Sequence, residues 1–312
     1  MKKLSNKAKL LAVGAIAAAV AVVVAVIPKG SKDQDVCSTV HMANPGWSDV
    51  AITVDWLSTL FSALGYTPKE TTVSTAVSFA SLKNKDIDIM LANWLPADDE
   101  LMAQYKGDYD VLGTNLKDVP YTLATTPTAY AAGLKSWQDI PKFEKELGGK
   151  IYGIEPGSAG NTIVMKFTQD VGIDKTFRVI EASTVAMLAE VEKNLDGFIV
   201  YLAWDPHWMS KYEPQFLSGG EEWMGTNSQV VTLGRKDYRA DCPNVARFFD
   251  NFEQDIPELN NVIVEVKDGT PLNQAATAWL EANPDAVKKW MKGVKTIDGG
   301  NGWAAASEAL GY

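Results

Sequence analysis

A pattern that returns after about 110 residues governs how this chain can fold. Lys83-Asn84-Lys85-Asp86 leads into Trp94-Leu95-Pro96, and Lys193-Asn194-Leu195-Asp196 stands in the same relation to Trp204-Asp205-Pro206, 110 residues on. Asn44-Pro45-Gly46 recurs as Glu155-Pro156-Gly157 at an offset of 111, each time after a β-rich run and before a helical one. Patterns this short also arise by chance, but two of them at nearly one spacing imply two related lobes. The runs between them alternate in period. Ser38 to Met42, Asp86 to Leu91, Lys150 to Ile154 and Gly197 to Leu202 read as strands. Val50, Val54, Leu57, Phe61 and Leu64 make one helical face stopped by Gly65, a helix is expected after Ser158, and Ala275 to Leu280 and Val287 to Val294 read as outer helices. Such alternation predicts an α/β fold with largely parallel sheets.

Composition narrows the chemistry. The 29 basic and 39 acidic residues give a formal charge of −10, and the first thirty residues hold Lys2, Lys3, Lys7, Lys9 and Lys29 with no acid. Setting those five lysines aside leaves 24 basic residues against 39 acidic ones, a balance of −15, so no nucleic-acid partner is expected. Two His and two Cys are too few for a zinc site, an iron–sulfur cluster or a multi-histidine centre, so neither metal nor cofactor is expected. Four lysines ahead of an apolar run from Leu10 to Ile27 have the form of a secretory signal. The run is also long enough to approach a membrane span, and no clean small-x-small cleavage site follows, so residues 1–30 read as a signal peptide or an N-terminal membrane anchor. Either way the remainder is expected outside the cytoplasmic membrane. In that compartment Cys37 and Cys242 suit a disulfide, and two buried free thiols are the alternative.

The repeat also places a candidate site. Ligands of open α/β sheets bind beyond the carboxyl ends of the strands, and Trp47, Trp94, Ser158 and Trp204 each follow a predicted strand. A tryptophan there is commonly a core plug. Three in equivalent places point instead to a shared cleft. Several indole faces around one point favour a methylated ammonium, which cannot satisfy itself by hydrogen bonding to water. A hydrolase would have to pair Ser158 with His207, but no Gly-x-Ser-x-Gly elbow is present, and no enzyme is expected. His207 reads better as a structural hydrogen-bonder behind Trp204.

From about Cys37 onward the chain resembles the quaternary-ammonium-binding proteins of ABC importers, and within them the choline-binding branch. The likeness rests on Gly46-Trp47-Ser48-Asp49, Ser81 to Asp88, Asn93-Trp94-Leu95-Pro96, Tyr121 to Thr125, Lys150 to Gly157 and Trp204-Asp205-Pro206-His207. The resemblance implies a two-lobed periplasmic-binding-protein fold, type II-like, with a hinge between the lobes. It implies an aromatic cage of Trp47, Trp94, Tyr121 and Trp204, with Asp49 accepting the ligand hydroxyl and Cys37 bonded to Cys242. Where that branch carries Asn after Glu-Pro-Gly, this chain has Ser158. Asp49 and Ser158 also suit helix caps. A carboxylate at Asp49 favours choline over the carboxylate of glycine betaine, with betaine and trimethylamine N-oxide next. The expected lobes are 36–118 with 232–312, and 119–231, crossing near Asn115 to Pro120 and returning near Gln229 to Gly234. The implied partners are the solute, an ABC permease and its ATPase. An anchored sensory or presentation module is the alternative.

Overall fold

The computed structural model describes residues 36–312, so the lysine-rich and apolar N-terminal segment lies outside the described residues. Ten strands build two five-stranded sheets. In chain order they are β1 (Thr39–Asn44), β2 (Thr67–Thr72), β3 (Ile89–Leu95), β4 (Tyr109–Leu116), β5 (Tyr121–Thr125), β6 (Lys150–Tyr152), β7 (Arg178–Ile180), β8 (Val200–Trp204), β9 (Gln215–Phe216) and β10 (Gln229–Arg235). The sheet orders are β2-β1-β3-β10-β4 and β7-β6-β8-β5-β9. In each, four strands run one way and the fourth in order runs against them: β10 is antiparallel to β3 and β4, and β5 to β8 and β9. That reversed strand is the one that has just crossed between the sheets. β5 enters the second sheet five residues after β4 ends, and β10 returns to the first.

The two sheets therefore share one plan, and the sequence repeat falls on matching parts of it. β1 corresponds to β6 and β3 to β8. The expected strands shift on inspection: β3 begins at Ile89 rather than Asp86 and runs through Trp94, and β8 begins at Val200 and ends on Trp204. The reason is burial. All of β8 and all but the last residue of β3 are buried, as central strands covered on both faces require, whereas the Asp-rich lead-in stays in the loop. Asp88 is used there to pair with the buried Arg235 at the end of β10 at 2.9 Å, and Arg235 also meets Asp241 at 2.7 Å. The turns after β1 and β6 put Gly46 at φ +87° and Gly157 at φ +82°, a conformation that favours glycine.

The Ser48–Ala63 helix is buried over more than the expected stripe. Trp56, Ile52 and Thr53 are covered as well as Val50, Val54, Leu57 and Phe61. Helices Ile256–Lys267 and Leu272–Ala282 pack on it, and Trp56 stacks on Trp279 at 4.2 Å. Cys37 and Cys242 are joined, with Cα atoms 5.7 Å apart, tying the start of β1 to the Pro243–Asn251 helix. No helix among the described residues is long and apolar enough to cross a membrane.

Candidate functional site

The three tryptophans expected after strands, and the Tyr121 that the resemblance adds to them, converge. Trp94 is the penultimate residue of β3, Trp204 the last of β8, and Tyr121 the first of β5, where it pairs directly with Trp204. Trp47 occupies the N-cap position of the Ser48–Ala63 helix. Ring centroids lie 5.7 Å apart for Trp47–Trp204, 5.4 Å for Trp94–Tyr121, 6.4 Å for Trp94–Trp204 and 6.2 Å for Tyr121–Trp204. The planes are inclined by 53° to 85°, so the rings form walls rather than a stack. They enclose a cavity of about 20 Å³, measured as the space open to the centre of a water molecule. No lysine or arginine lines it.

Polar groups around the rings are held by the loops that follow the strands. Ser158 lines the cavity and also caps the Ala159–Asp170 helix, its Oγ accepting from Asn161 N–H at 3.3 Å. Asn161, fully buried, shapes the preceding loop: its side chain accepts from Ile154 N–H and donates to Ile154 O, Glu155 O and Glu181. Glu155 accepts from Trp47 Nε1 at 3.2 Å and from both the N–H and the hydroxyl of Thr184, linking a ring of the first sheet to a loop of the second. Asp49 stands apart from the expectation. It is buried at 2 % exposure but is not on the cavity wall. Burial drives its pKa up to about 7, opposed by its own and Val50's backbone N–H and by the nearby indole of Trp204. That indole falls short of hydrogen-bond geometry, which leaves Asp49 Oδ1 and Trp204 Nε1 both without partners. Ser48 Oγ and Trp94 Nε1 are likewise buried and unpartnered. Such atoms cost on the order of 1–3 kcal/mol each, and two of them, Trp94 Nε1 and Trp204 Nε1, belong to rings of the cavity wall.

Two residues on the wall escaped sequence reasoning. Asp98 lines the cavity at 4 % exposure, its Oδ2 accepting from Trp94 N–H at 2.8 Å, and burial pushes it up to about 7. Its signal was the spacing of four residues from Trp94, the span of a single closed turn. Gly160 is the other. A Cβ there would sit 2.0 Å from the Tyr121 hydroxyl and 3.0 Å from Leu202, so only glycine lets the Tyr121 hydroxyl approach the helix start so closely. Tyr121 itself is pushed up by burial and by the charges of Asp98 and Glu155.

The alternative pairing of Ser158 with His207 does not form. His207 Nδ1 accepts from Met209 N–H at 3.0 Å, its ring meets Trp204 edge-on at 4.9 Å, and burial pulls its pKa down to about 3. It acts as the structural support behind Trp204. Among the described residues no cluster of His, Cys, Asp or Glu could hold a metal ion.

Two similar sheets joined by two crossings, with a cavity walled from both, define a substrate-binding protein of the hinged α/β class. The chain belongs to the OpuAC family, the substrate-binding domain of ABC-type glycine betaine transport systems, whose model matches residues 38–282. Among solved structures it is similar to an ABC-transporter choline-binding protein in complex with choline, at 37% identity and TM-score 0.83, over 88% of this chain and 98% of that one. Lactococcal OpuAC in its closed conformation with glycine betaine is 25% identical at TM-score 0.72, over 81% and 98% of the two chains. The glycine betaine/carnitine transport binding protein GbuC of Listeria monocytogenes is 31% identical over 164 residues, 50% of this chain and 55% of GbuC.

Proposed function

We propose that this protein captures choline in the cage of Trp47, Trp94, Tyr121 and Trp204 and presents it to an ABC permease and its ATPase. The observation that carries the reading is the convergence of four inclined rings from two sheets on one buried point. Indole faces attract a desolvated quaternary ammonium by about 2 kcal/mol or more. Choline has about seven heavy atoms, and at a ceiling of roughly −1.5 kcal/mol per atom it reaches about −10 kcal/mol only when enclosed on nearly all sides. Neither sheet alone supplies that enclosure. With lobe one at 36–118 and 232–312 and lobe two at 119–231, the ligand enters as the lobes part and stabilises their closure. In this reading Asp49, buried just off the cavity wall, comes within reach of the choline hydroxyl as the lobes close, and Ser158 stands on the wall in the position where the choline branch carries Asn. Glycine betaine and trimethylamine N-oxide rank behind choline. The protein works outside the cytoplasmic membrane, with residues 10–27 serving export or tethering.

The test is intrinsic tryptophan fluorescence of residues 31–312 during parallel titrations with choline, glycine betaine and trimethylamine N-oxide. Saturable change at the lowest concentration with choline is expected. No response to any of the three overturns the cage.

A further inference from the structure

We propose that Asp98 is a specificity-determining residue of this site: a wall carboxylate that faces the ligand's cationic end and selects net cations over zwitterions. The inference rests on the quaternary-ammonium reading and adds to it a residue outside the expected set. Asp98 is on the cavity wall, whereas Asp49 is not. Its position is fixed from two sides, because Trp94 N–H donates to Oδ2 at 2.8 Å while Asp98 N–H donates to Trp94 O at 2.8 Å. One cage tryptophan thus holds the carboxylate in place through both its N–H and its carbonyl. Among the described residues no lysine or arginine lines the cavity.

The charges that register on Asp98 and on its neighbour Tyr121 are acidic, and the lysine of the adjoining surface, Lys166, is paired with Asp170 at 2.6 Å. Asp99 follows it on the same turn and raises its pKa further. Tyr121 on β5 feels the Asp98 charge, and Glu155 on the loop after β6 reaches the same tyrosine. Asp49 is buried beside the Trp204 indole. A ligand with one positive charge relieves this crowding of negative groups. A zwitterion brings its own carboxylate into it and gains far less. The two ligand classes should therefore respond differently to pH. Both buried carboxyls are pushed up to about 7, so raising the pH from 6 to 8 ionises them and tightens choline binding, while glycine betaine binds no better or worse.

The experiment is calorimetric titration of wild type and Asp98→Asn with choline and with glycine betaine at pH 6 and pH 8, alongside thermal melts. Asp98→Asn keeps an acceptor for Trp94 N–H, so the turn survives. At pH 8 it is expected to lower the ratio of choline to betaine affinity about tenfold, and to flatten the rise of choline affinity with pH. Equal losses for both ligands with an unchanged pH profile would make Asp98 a purely structural clamp and overturn the proposal. So would unchanged affinities for both. Wild type that binds neither ligand overturns the quaternary-ammonium reading itself, an outcome separate from the other two. If Asp98→Asn melts too early to titrate, wild type alone decides: choline affinity that does not rise between pH 6 and 8 contradicts the proposal.

Discussion

Trp94 and Trp204 show how much a single residue can disclose. Each closes an apolar run at the same point of a repeated plan, so their meeting in one wall was legible from the sequence alone, and so was the role of His207 behind Trp204. Asp98 was not. It sits in Ala97-Asp98-Asp99-Glu100, a run that looks like the solvated start of a helix, and only the closed turn back to Trp94 buries it. Asp49 was expected to accept the ligand hydroxyl from the resemblance and was also readable as a helix-start acid, and it is in the first turn of its helix. The account expects Asp49→Asn to weaken choline more than glycine betaine, by roughly tenfold against a few-fold, because a neutral amide is a poorer acceptor for a hydroxyl and gives no field to the cation. Calorimetry on the two ligands checks this, and matching losses would remove the hydroxyl-acceptor role.

Elements, in contrast, were legible where they were central and obscure where they crossed. β3 and β8 are continuous apolar runs, and the Ser48–Ala63 helix shows its face plainly. The crossing strands β5 and β10 carry no comparable signature, since their reversed direction is set by which sheet they join. The loop after β6 meets the first sheet's side of the site through Glu155, which accepts from Trp47 Nε1. Glu155→Ala removes that bond and is expected to release choline about tenfold faster, a cost in the range of a hydrogen bond to a charged group; stopped-flow dissociation measures it, and an unchanged rate contradicts the linkage. The Cys37–Cys242 bond spans 205 residues, and on chain-entropy grounds its loss lowers stability by up to about 5 kcal/mol. Urea unfolding of Cys37→Ser with Cys242→Ser against the oxidised protein is the comparison; equal midpoints would show that the crosslink leaves the folding equilibrium untouched.

At the scale of the molecule, binding and stability draw on the same buried charges. Asp49 and Asp98, pushed up to about 7, favour the folded state most at low pH, and that contribution is lost as pH rises through about 7. His207, pulled down to about 3, acts in the opposite sense, but its contribution is complete above about 6.5. Between pH 6.5 and 8 the unliganded protein should therefore lose on the order of 1 kcal/mol of stability, and saturating choline should offset more of that loss than betaine does. Denaturant unfolding at the two pH values reads this, and stability that rises over the interval would show that the two carboxyls are not buried as described. The central claim is the cage, formed only where both lobes meet. Its most direct test is a crystal structure with choline bound. The account predicts the choline nitrogen within about 6 Å of the ring centroids of Trp47, Trp94, Tyr121 and Trp204 together; choline seated elsewhere, or touching the rings of one lobe alone, would contradict it.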